Sequence, residues 1–270
     1  MNAVHRVLSP NELDPAAAGC CALAIMTKAP RAGRVKTRLS PPLTPEEAAG
    51  LNISFLRDTA AAIAYADAGA QGIGCYTPVG EEETYRDILP GNFQLIPQRE
   101  GSFGERLLGA MEDLFSVGFG SVCLIDSDSP TVPAGVFAEA VKMLSQPNDR
   151  VILGPSDDGG YYLIGVKQLH RRLFEEIDWS TDRVLAQTQT RAAEENLEVH
   201  LLPAGYDVDD RATLSRLCQD LLGQGNSDFQ PDWVDGLEAR RFDAADTAPA
   251  SREFLRGIIA REGRARIWAL

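Results

Sequence analysis

Cys20-Cys21-Ala22-Leu23-Ala24-Ile25-Met26 is an unbroken apolar run, and after Thr27 it empties into Lys28-Ala29-Pro30-Arg31-Ala32-Gly33-Arg34-Val35-Lys36-Thr37-Arg38-Leu39. A short continuous apolar run without alternation is the pattern of a strand buried on both faces of a parallel sheet. The loop that follows such a strand at its carboxyl end is where open α/β sheets bind ligands. Four of the five cations there, Lys28, Arg34, Lys36 and Arg38, predict an anionic ligand, with phosphate the leading chemistry. Lys36 and Arg38 lie two apart, so in extended backbone both face one side, the first as a point charge and the second as a bidentate fork. The same residues, taken without their context, also read as a solvated basic loop.

Outward from this stretch the chain alternates strands and helices. Strand-like runs cover 21–26, 72–77, 93–97, 121–125, 150–154, 161–166 and 197–202, and helical patterns cover 45–65, 103–117, 133–144, 181–196 and 211–222. Thr44-Pro45-Glu46-Glu47 predicts the clearest helix start, with Thr44 as N-cap, Pro45 at the first helical position and Glu47 closing a capping box. The alternation predicts an α/β fold with a doubly wound, mostly parallel sheet between helical layers. The first twenty residues read as a loosely attached flexible arm, 21–222 as the α/β domain, and 223–270 as a linker followed by a helical appendage near 251–261. The appendage carries Phe254, Leu255, Ile258, Ile259, Ile267, Trp268 and Leu270, which can pack on the domain or on a second copy in a homodimer.

Composition narrows the classes. Among 270 residues, 26 Lys+Arg stand against 39 Asp+Glu, a net charge of −13 that argues against nucleic-acid or anionic-membrane partners. The five cysteines, at 20, 21, 75, 123 and 218, form no C-x-x-C and fit reduced thiols in a cytoplasm. The apolar stretch 15–26 is too short to span a bilayer and follows Glu12 and Asp14, so no signal peptide or membrane anchor is expected. His5, His170 and His200 sit beside no nucleophile motif, which disfavours triads and histidine metal sites.

Two acidic clusters follow strands. Asp126-Ser127-Asp128-Ser129-Pro130 comes after Ser121–Ile125, and Asp207-Val208-Asp209-Asp210 precedes the helix near Arg211. If both strands lie in one parallel sheet, their ends share an edge and Asp128 and Asp209 can converge on one ion. Mg²⁺ or Mn²⁺ needs only one or two carboxylates, the rest of its shell being water and diphosphate oxygens. Each cluster also has a local reading, as turn chemistry before Ser-Pro or as an Asp N-cap. Gly154-Pro155-Ser156-Asp157-Asp158-Gly159-Gly160 suits either a close backbone approach to a ligand or an ordinary hairpin. In Gly101-Ser102-Phe103-Gly104-Glu105-Arg106 glycines precede a helix whose first amides can receive phosphate or a nucleobase edge. Neither a Walker loop nor a G-x-G-x-x-G is present, which disfavours ATPases and dehydrogenases. Trp179-Ser180-Thr181 reads first as a helix cap and second as a ring-stacking site.

Taken in order, K-x-P-x-x-G-x-V-K-T-R-L (28–39), S-D-S-P (127–130), G-P-x-x-D-G-G-Y-Y-L-I-G (154–165), W-S-T (179–181) and D-V-D (207–209) resemble the radical-SAM/selenodomain-associated glycosyltransferase-like family. That family is similar to the GT-A nucleotide-diphospho-sugar transferases and, more distantly, to molybdenum-cofactor and phospholactate guanylyltransferases. The resemblance spans about residues 21 to 222. It implies a Rossmann-like GT-A fold, a nucleotide or nucleotide-sugar partner, a small-molecule acceptor and a Mg²⁺ or Mn²⁺ cofactor. By position it implies catalytic roles for Lys36, Arg38 and Asp128, and metal ligation by Asp128 and Asp209; Asp126, which turns the motif into a D-x-D, reads either as a further metal ligand or as a charge beside it. Nucleotide contacts fall on Lys28, Gly33, Lys36, Arg38, Gly101, Gly104, Arg106, Asp158 and Gly159. The chain departs from the family in having Asp126 where glycine is usual, Asp210-Arg211 in place of Thr-Pro, and a longer tail. The expected activity is metal-dependent glycosyl transfer from a nucleotide-diphospho-sugar. Nucleotidyl transfer with release of pyrophosphate, and nucleotide binding without catalysis, are the alternatives.

Overall fold

The structure, a computed structural model, describes residues 5–66, 69–223 and 247–268. Seven strands form one sheet: β1 (Cys21–Lys28), β2 (Ala70–Thr77), β3 (Gln94–Pro97), β4 (Ser121–Ile125), β5 (Arg150–Pro155), β6 (Tyr161–Val166) and β7 (Glu198–Leu201). Their order is β3-β2-β1-β4-β6-β5-β7, and every neighbouring pair is parallel except the two made by β6. The mostly parallel α/β sheet expected from the alternation is therefore present. One strand departs from the parallel pattern: β6 returns from β5 through the tight turn at 156–160 and enters the sheet antiparallel between β4 and β5. This hairpin brings the start of β6 to the same sheet edge as the ends of its neighbours.

After β1 the chain builds outward through β2 and β3, then crosses back to place β4 on the other flank of β1. The carboxyl ends of β1 and β4 thus diverge at the topological switch point, where such sheets open a crevice. The period-2 geometry of a strand divides β1 cleanly. Cys21, Leu23 and Ile25 pack with α1 (Pro45–Ala64) and α3 (Ala134–Leu144). Ala22 and Ala24 face α2 (Phe103–Val117) and α4 (Val184–Glu194).

The Thr44–Glu47 capping box forms as the sequence predicts, Thr44 Oγ1 accepting from Glu47 N at 3.2 Å and Glu47 returning a bond to Thr44 N at 3.0 Å. Helix α1 is buried on two sides. Leu56, Ala60 and Ile63 meet the sheet, while Ala48, Leu51 and Phe55 join a third core with α5 (Arg211–Leu222) and α6 (Pro249–Glu262). The described part of the tail therefore packs on its own domain, with Leu255, Ile258, Ile267 and Trp268 buried there. Phe254 rests on Gly50, where a Cβ would stand 2.7 Å from the ring. The stretch 224–246, which includes Trp233, and residues 269–270 lie outside the described residues.

The segment read as a loose arm is packed over its described length. His5 is buried with its ring nitrogens 3.0 and 3.1 Å from the Phe93 and Tyr85 carbonyls, and Leu8 N donates to Leu95 O beside β3. Asp14 caps a short turn at Pro15–Ala17 and pairs with Arg6. A polar, Pro-containing sequence concealed this attachment because the bonds are made to residues far along the chain. Among the described residues no helix is long and apolar enough to cross a membrane.

Helix α6 has no capping side chain of its own, since Ala248 occupies its N-cap. The buried Asp58 of α1 supplies one from outside, accepting from Ala250 N and Ser251 N at 2.8 Å and from the Ser251 hydroxyl at 2.5 Å. Replacing Asp58 with Ala orphans these donors and is expected to lower stability by about 2–4 kcal/mol, read as a shifted urea midpoint. Glu47 makes the second tie, to Arg266. Partial burial opposes its charged form, but the Thr44 amide and the Arg266 guanidinium overcome this and hold its carboxyl below the usual range. The stabilisation is complete above the ordinary carboxylate pKa and is lost as pH falls through the lowered value. Urea titrations between about pH 7 and about pH 3 are expected to show a flatter acid limb for Glu47→Gln.

Candidate functional site

The cationic loop leaves β1 with Ala29 N bonded to Thr77 O and turns at Gly33, whose φ of +71° suits a residue without Cβ. A single helical turn, Thr37–Leu39, follows, and Leu39 plugs the third core. That anchor fixes the loop over the sheet edge. Lys36 takes a left-handed conformation, φ +47° and ψ +39°, that sends its side chain inward.

There the Lys36 ammonium lies 2.8 Å from Asp128 Oδ1, 2.8 Å from Asp209 Oδ1 and 2.8 Å from the Val208 carbonyl. Its side chain is only 4% exposed and stands 5.5 Å from the Phe55 ring centre. Burial by itself would lower the pKa of this amine; the Asp128 and Asp209 carboxylates more than reverse the effect and hold it above its ordinary value. The backbone reinforces the junction, Val208 N donating to Asp128 O at 2.9 Å. The convergence of Asp128 and Asp209 expected from their strand ends is thus realised, with Lys36 as the cation between them.

Asp126 has another use. Its oxygens accept from Asp128 N, Ser129 N and the Ser129 hydroxyl, at 3.3, 3.2 and 2.7 Å, so it closes the turn after β4. Burial and the neighbouring Asp128 charge push its carboxyl up to about 8. The local reading of Asp126 as turn chemistry accounts for these bonds. Asp210 is likewise a cap, accepting from Thr213 N at 2.9 Å at the start of α5.

Two depressions meet at this junction. A trough of about 250 Å³ is lined by Lys28, Arg34, Lys36 and Arg38 together with Thr37 and Asn52. A larger cleft of about 530 Å³ holds six aspartates, Asp126, Asp128, Asp158, Asp182, Asp207 and Asp209, against a wall that includes Phe103, Tyr161 and Trp179. Arg38, 79% exposed, and the Asp128 and Asp209 carboxylates border both. Burial, Asp158 and Asp209 together push the Asp207 carboxyl up to about 6.

Gly101, Gly104 and Arg106 line neither depression. The first turn of α2 is closed by its own capping box, the Glu105 carboxylate accepting from Ser102 N at 2.8 Å, which sets a negative charge where the sequence reading placed a phosphate. Gly104 instead lets the Trp179 indole lie flush on the helix, a Cβ there meeting its Nε1 at 2.3 Å. Arg106 stacks on Phe103, 5.7 Å from the ring centre, and reaches Gln98 Oε1 at 3.4 Å. Asp158 does face the larger cleft, its Oδ1 accepting from Gly160 N at 2.9 Å. Helix α4 begins at Val184, and Thr181 braces the preceding turn by accepting from Arg183 N. Trp179, Ser180 and Thr181 all line the cleft. Asp182 and Phe103 had no sequence signal beyond their neighbours.

Whether a divalent cation fits can be judged from the donors. Asp128 and Asp209 offer hard carboxylate oxygens to one point at the sheet edge and keep 32% and 41% exposure, so they suit Mg²⁺ or Mn²⁺ completed by water and phosphate. Among the described residues no group of three or more such side chains forms a ready cage.

Gly159 seats the hairpin on the loop before α4. Its φ is +85°, a Cβ would lie 2.1 Å from the Asp182 carbonyl, and its own carbonyl accepts from Leu185 N at 2.9 Å. Gly159→Ala is expected to cost about 2 kcal/mol or more in a urea melt and to displace Asp182 from the cleft wall.

A protein family described as "Uncharacterized protein conserved in bacteria (DUF2064)" matches residues 59–181, a stretch that contains Asp128 and Asp158 but neither Lys36 nor Asp209. No curated protein matches the chain. Among solved structures it is similar to a "putative nucleotide-diphospho-sugar transferase" from Desulfovibrio desulfuricans G20, with 27% identity and a TM-score of 0.73 over 91% of this chain and 98% of that one. CMP:2-keto-3-deoxy-manno-octonic acid synthetase complexed with CTP matches at 13% identity and TM-score 0.46, over 73% of this chain and 96% of that one. A cytidylyltransferase from Leptospira borgpetersenii serovar Hardjo-bovis matches at 10% identity and TM-score 0.44, over 94% and 98%. By the first of these likenesses, which spans nine-tenths of the chain, the protein has the fold of the nucleotide-diphospho-sugar transferases.

Proposed function

We propose that the protein is a transferase acting on nucleotide-activated substrates, and within that class a metal-dependent glycosyltransferase using a nucleotide-diphospho-sugar. The observation that carries this reading is the division of charge at the sheet edge. Lys28, Arg34, Lys36 and Arg38 line a trough suited to a diphosphate and bordered by Asp128 and Asp209, and it abuts a cleft whose charged lining is six aspartates and Arg38. Nucleotidyl transfer onto a phosphate would bring an anionic acceptor into that cleft, where like charges oppose it. A sugar passing to a neutral or cationic acceptor meets no such barrier. Aromatic faces such as Trp179 suit the apolar faces of a sugar ring, and carboxylates suit its hydroxyls.

In this reading the trough cations hold the diphosphate and stabilise the charge that gathers on it as the glycosidic bond breaks. A cation held by Asp128 and Asp209 would neutralise the same departing diphosphate. Asp158 and Asp207 are the carboxylates placed to take the proton of an acceptor hydroxyl. The wall of Phe103, Tyr161 and Trp179 offers aromatic faces to the acceptor side.

Thermal-shift measurements with nucleotide-diphospho-sugars and nucleoside triphosphates, each with Mg²⁺ or Mn²⁺ and with chelator, test the reading directly. A metal-dependent rise in Tm with UDP- or GDP-sugars is expected. A rise with bare triphosphates alone would turn the assignment to nucleotidyl transfer, and no rise with any ligand would leave a binding protein without this chemistry. Asp128→Asn is expected to weaken metal-dependent nucleotide binding by about tenfold or more, as read by titration calorimetry, because one charged ligand is lost.

A further inference from the structure

We infer that Lys36 and a divalent cation are alternative occupants of the same position between Asp128 and Asp209, so that binding of the cation transfers the Lys36 ammonium to a phosphate in the trough. The inference rests on the reading that these two carboxylates hold the cation. It follows from where the ammonium is held. Lys36 Nζ donates to Asp209 Oδ1 and to the Val208 carbonyl, and Asp128 Oδ1 stands against the same nitrogen as an ion pair, each at 2.8 Å. In this arrangement its charge is spent on two carboxylates and not on a phosphate, although its loop lines the trough.

A second cation cannot share the position. Mg²⁺ or Mn²⁺ bound to these carboxylates would stand about 2.0–2.2 Å from their oxygens, inside the space that Nζ fills. At a site 4% exposed, two positive charges at such a separation repel with little screening. One of them must leave. The exit is short, because Lys36 belongs to the wall of the trough, beside Lys28, Arg34 and Arg38. A phosphate there offers the displaced ammonium a new counter-ion at little change of depth. The left-handed backbone at Lys36, φ +47°, agrees with this: a non-glycine residue keeps such a conformation where its surroundings over-determine it.

Cation and phosphate therefore bind together or poorly. The cation without phosphate strands the ammonium, and phosphate without the cation strips the carboxylates of their partner. By linkage each must strengthen the other to the same extent. The arrangement also guards the site: a stray divalent cation must first displace the ammonium that already neutralises the two carboxylates.

Calorimetric titration of Mn²⁺ decides the matter in two arms. In the first, without nucleotide, Lys36→Met is expected to bind Mn²⁺ at least about tenfold more tightly than the wild type, since an apolar side chain of similar length no longer competes for the carboxylates. In the second, wild-type affinity for Mn²⁺ is expected to rise at least about tenfold with UDP, GDP or CDP present, after correction for the complex formed in solution. Should the variant fail to fold in a thermal melt, the wild-type arm decides alone. Mn²⁺ bound equally by variant and wild type, and unaffected by nucleotide, overturns the inference while leaving Asp128 and Asp209 as a metal site. Absence of Mn²⁺ binding in every condition overturns the metal-dependent reading and the inference with it.

Discussion

A single buried ammonium holds the working edge of this protein together. Loops from β1, β4 and the segment after β7 converge on Lys36, and two of them bring carboxylates. Without a cation between them Asp128 and Asp209 would repel in a partly dry environment, and the two loops would part. With it, the edge closes. Val208 receives Lys36 on its carbonyl and binds Asp128 O through its amide, and the next residues run straight into the Asp210 cap of α5. That helix joins α1 and α6 in the third core, into which Leu39 of the cationic loop also packs. The electrostatic junction and the apolar cluster beneath it therefore position each other.

The sheet topology explains why so much charge can gather in one place. Reversal of strand order at β1 and β4 opens a crevice, and the antiparallel entry of β6 adds the 156–160 turn to the same rim. Aspartates come from four separate loops, so no two need be neighbours in the chain. Burial first, and the neighbouring carboxylates second, hold the carboxyls of Asp126 and Asp207 well above their ordinary values. The cations of the trough all come from a single loop, and Arg38, Asp128 and Asp209 border both depressions. A mainly cationic trough thus adjoins an acidic cleft, which suits a reaction that holds a diphosphate on one side and a non-anionic group on the other.

Helix α1 shows how the tail became part of the domain. It is twenty residues long and buried both toward the sheet and toward α6, so it separates two cores. Asp58 and Glu47, one at each end of the contact, meet the first turn of α6 and Arg266. Gly50 lets Phe254 approach the helix backbone. These polar ties need side chains more than 190 residues apart, as Asp58 and Ser251 are.

The sequence by itself determined the elements whose causes are local. The apolar runs, the Thr44 capping box, the Asp210 cap and the strand–helix alternation all act within a few residues, and the mostly parallel sheet with a ligand edge after β1 followed from them. It also placed Asp128, Asp209 and the loop cations at that edge, because side chains after parallel strands must emerge there. Tertiary structure decided what each group touches. Lys36 is buried on two carboxylates, Asp126 is spent on its own turn, and the start of α2 is filled by Glu105. The antiparallel β6 and the packed segment 5–20 were equally beyond a local reading. In each case the deciding partner lies far along the chain or competes with a partner close by, and spacing in a sequence carries no measure of which of the two wins.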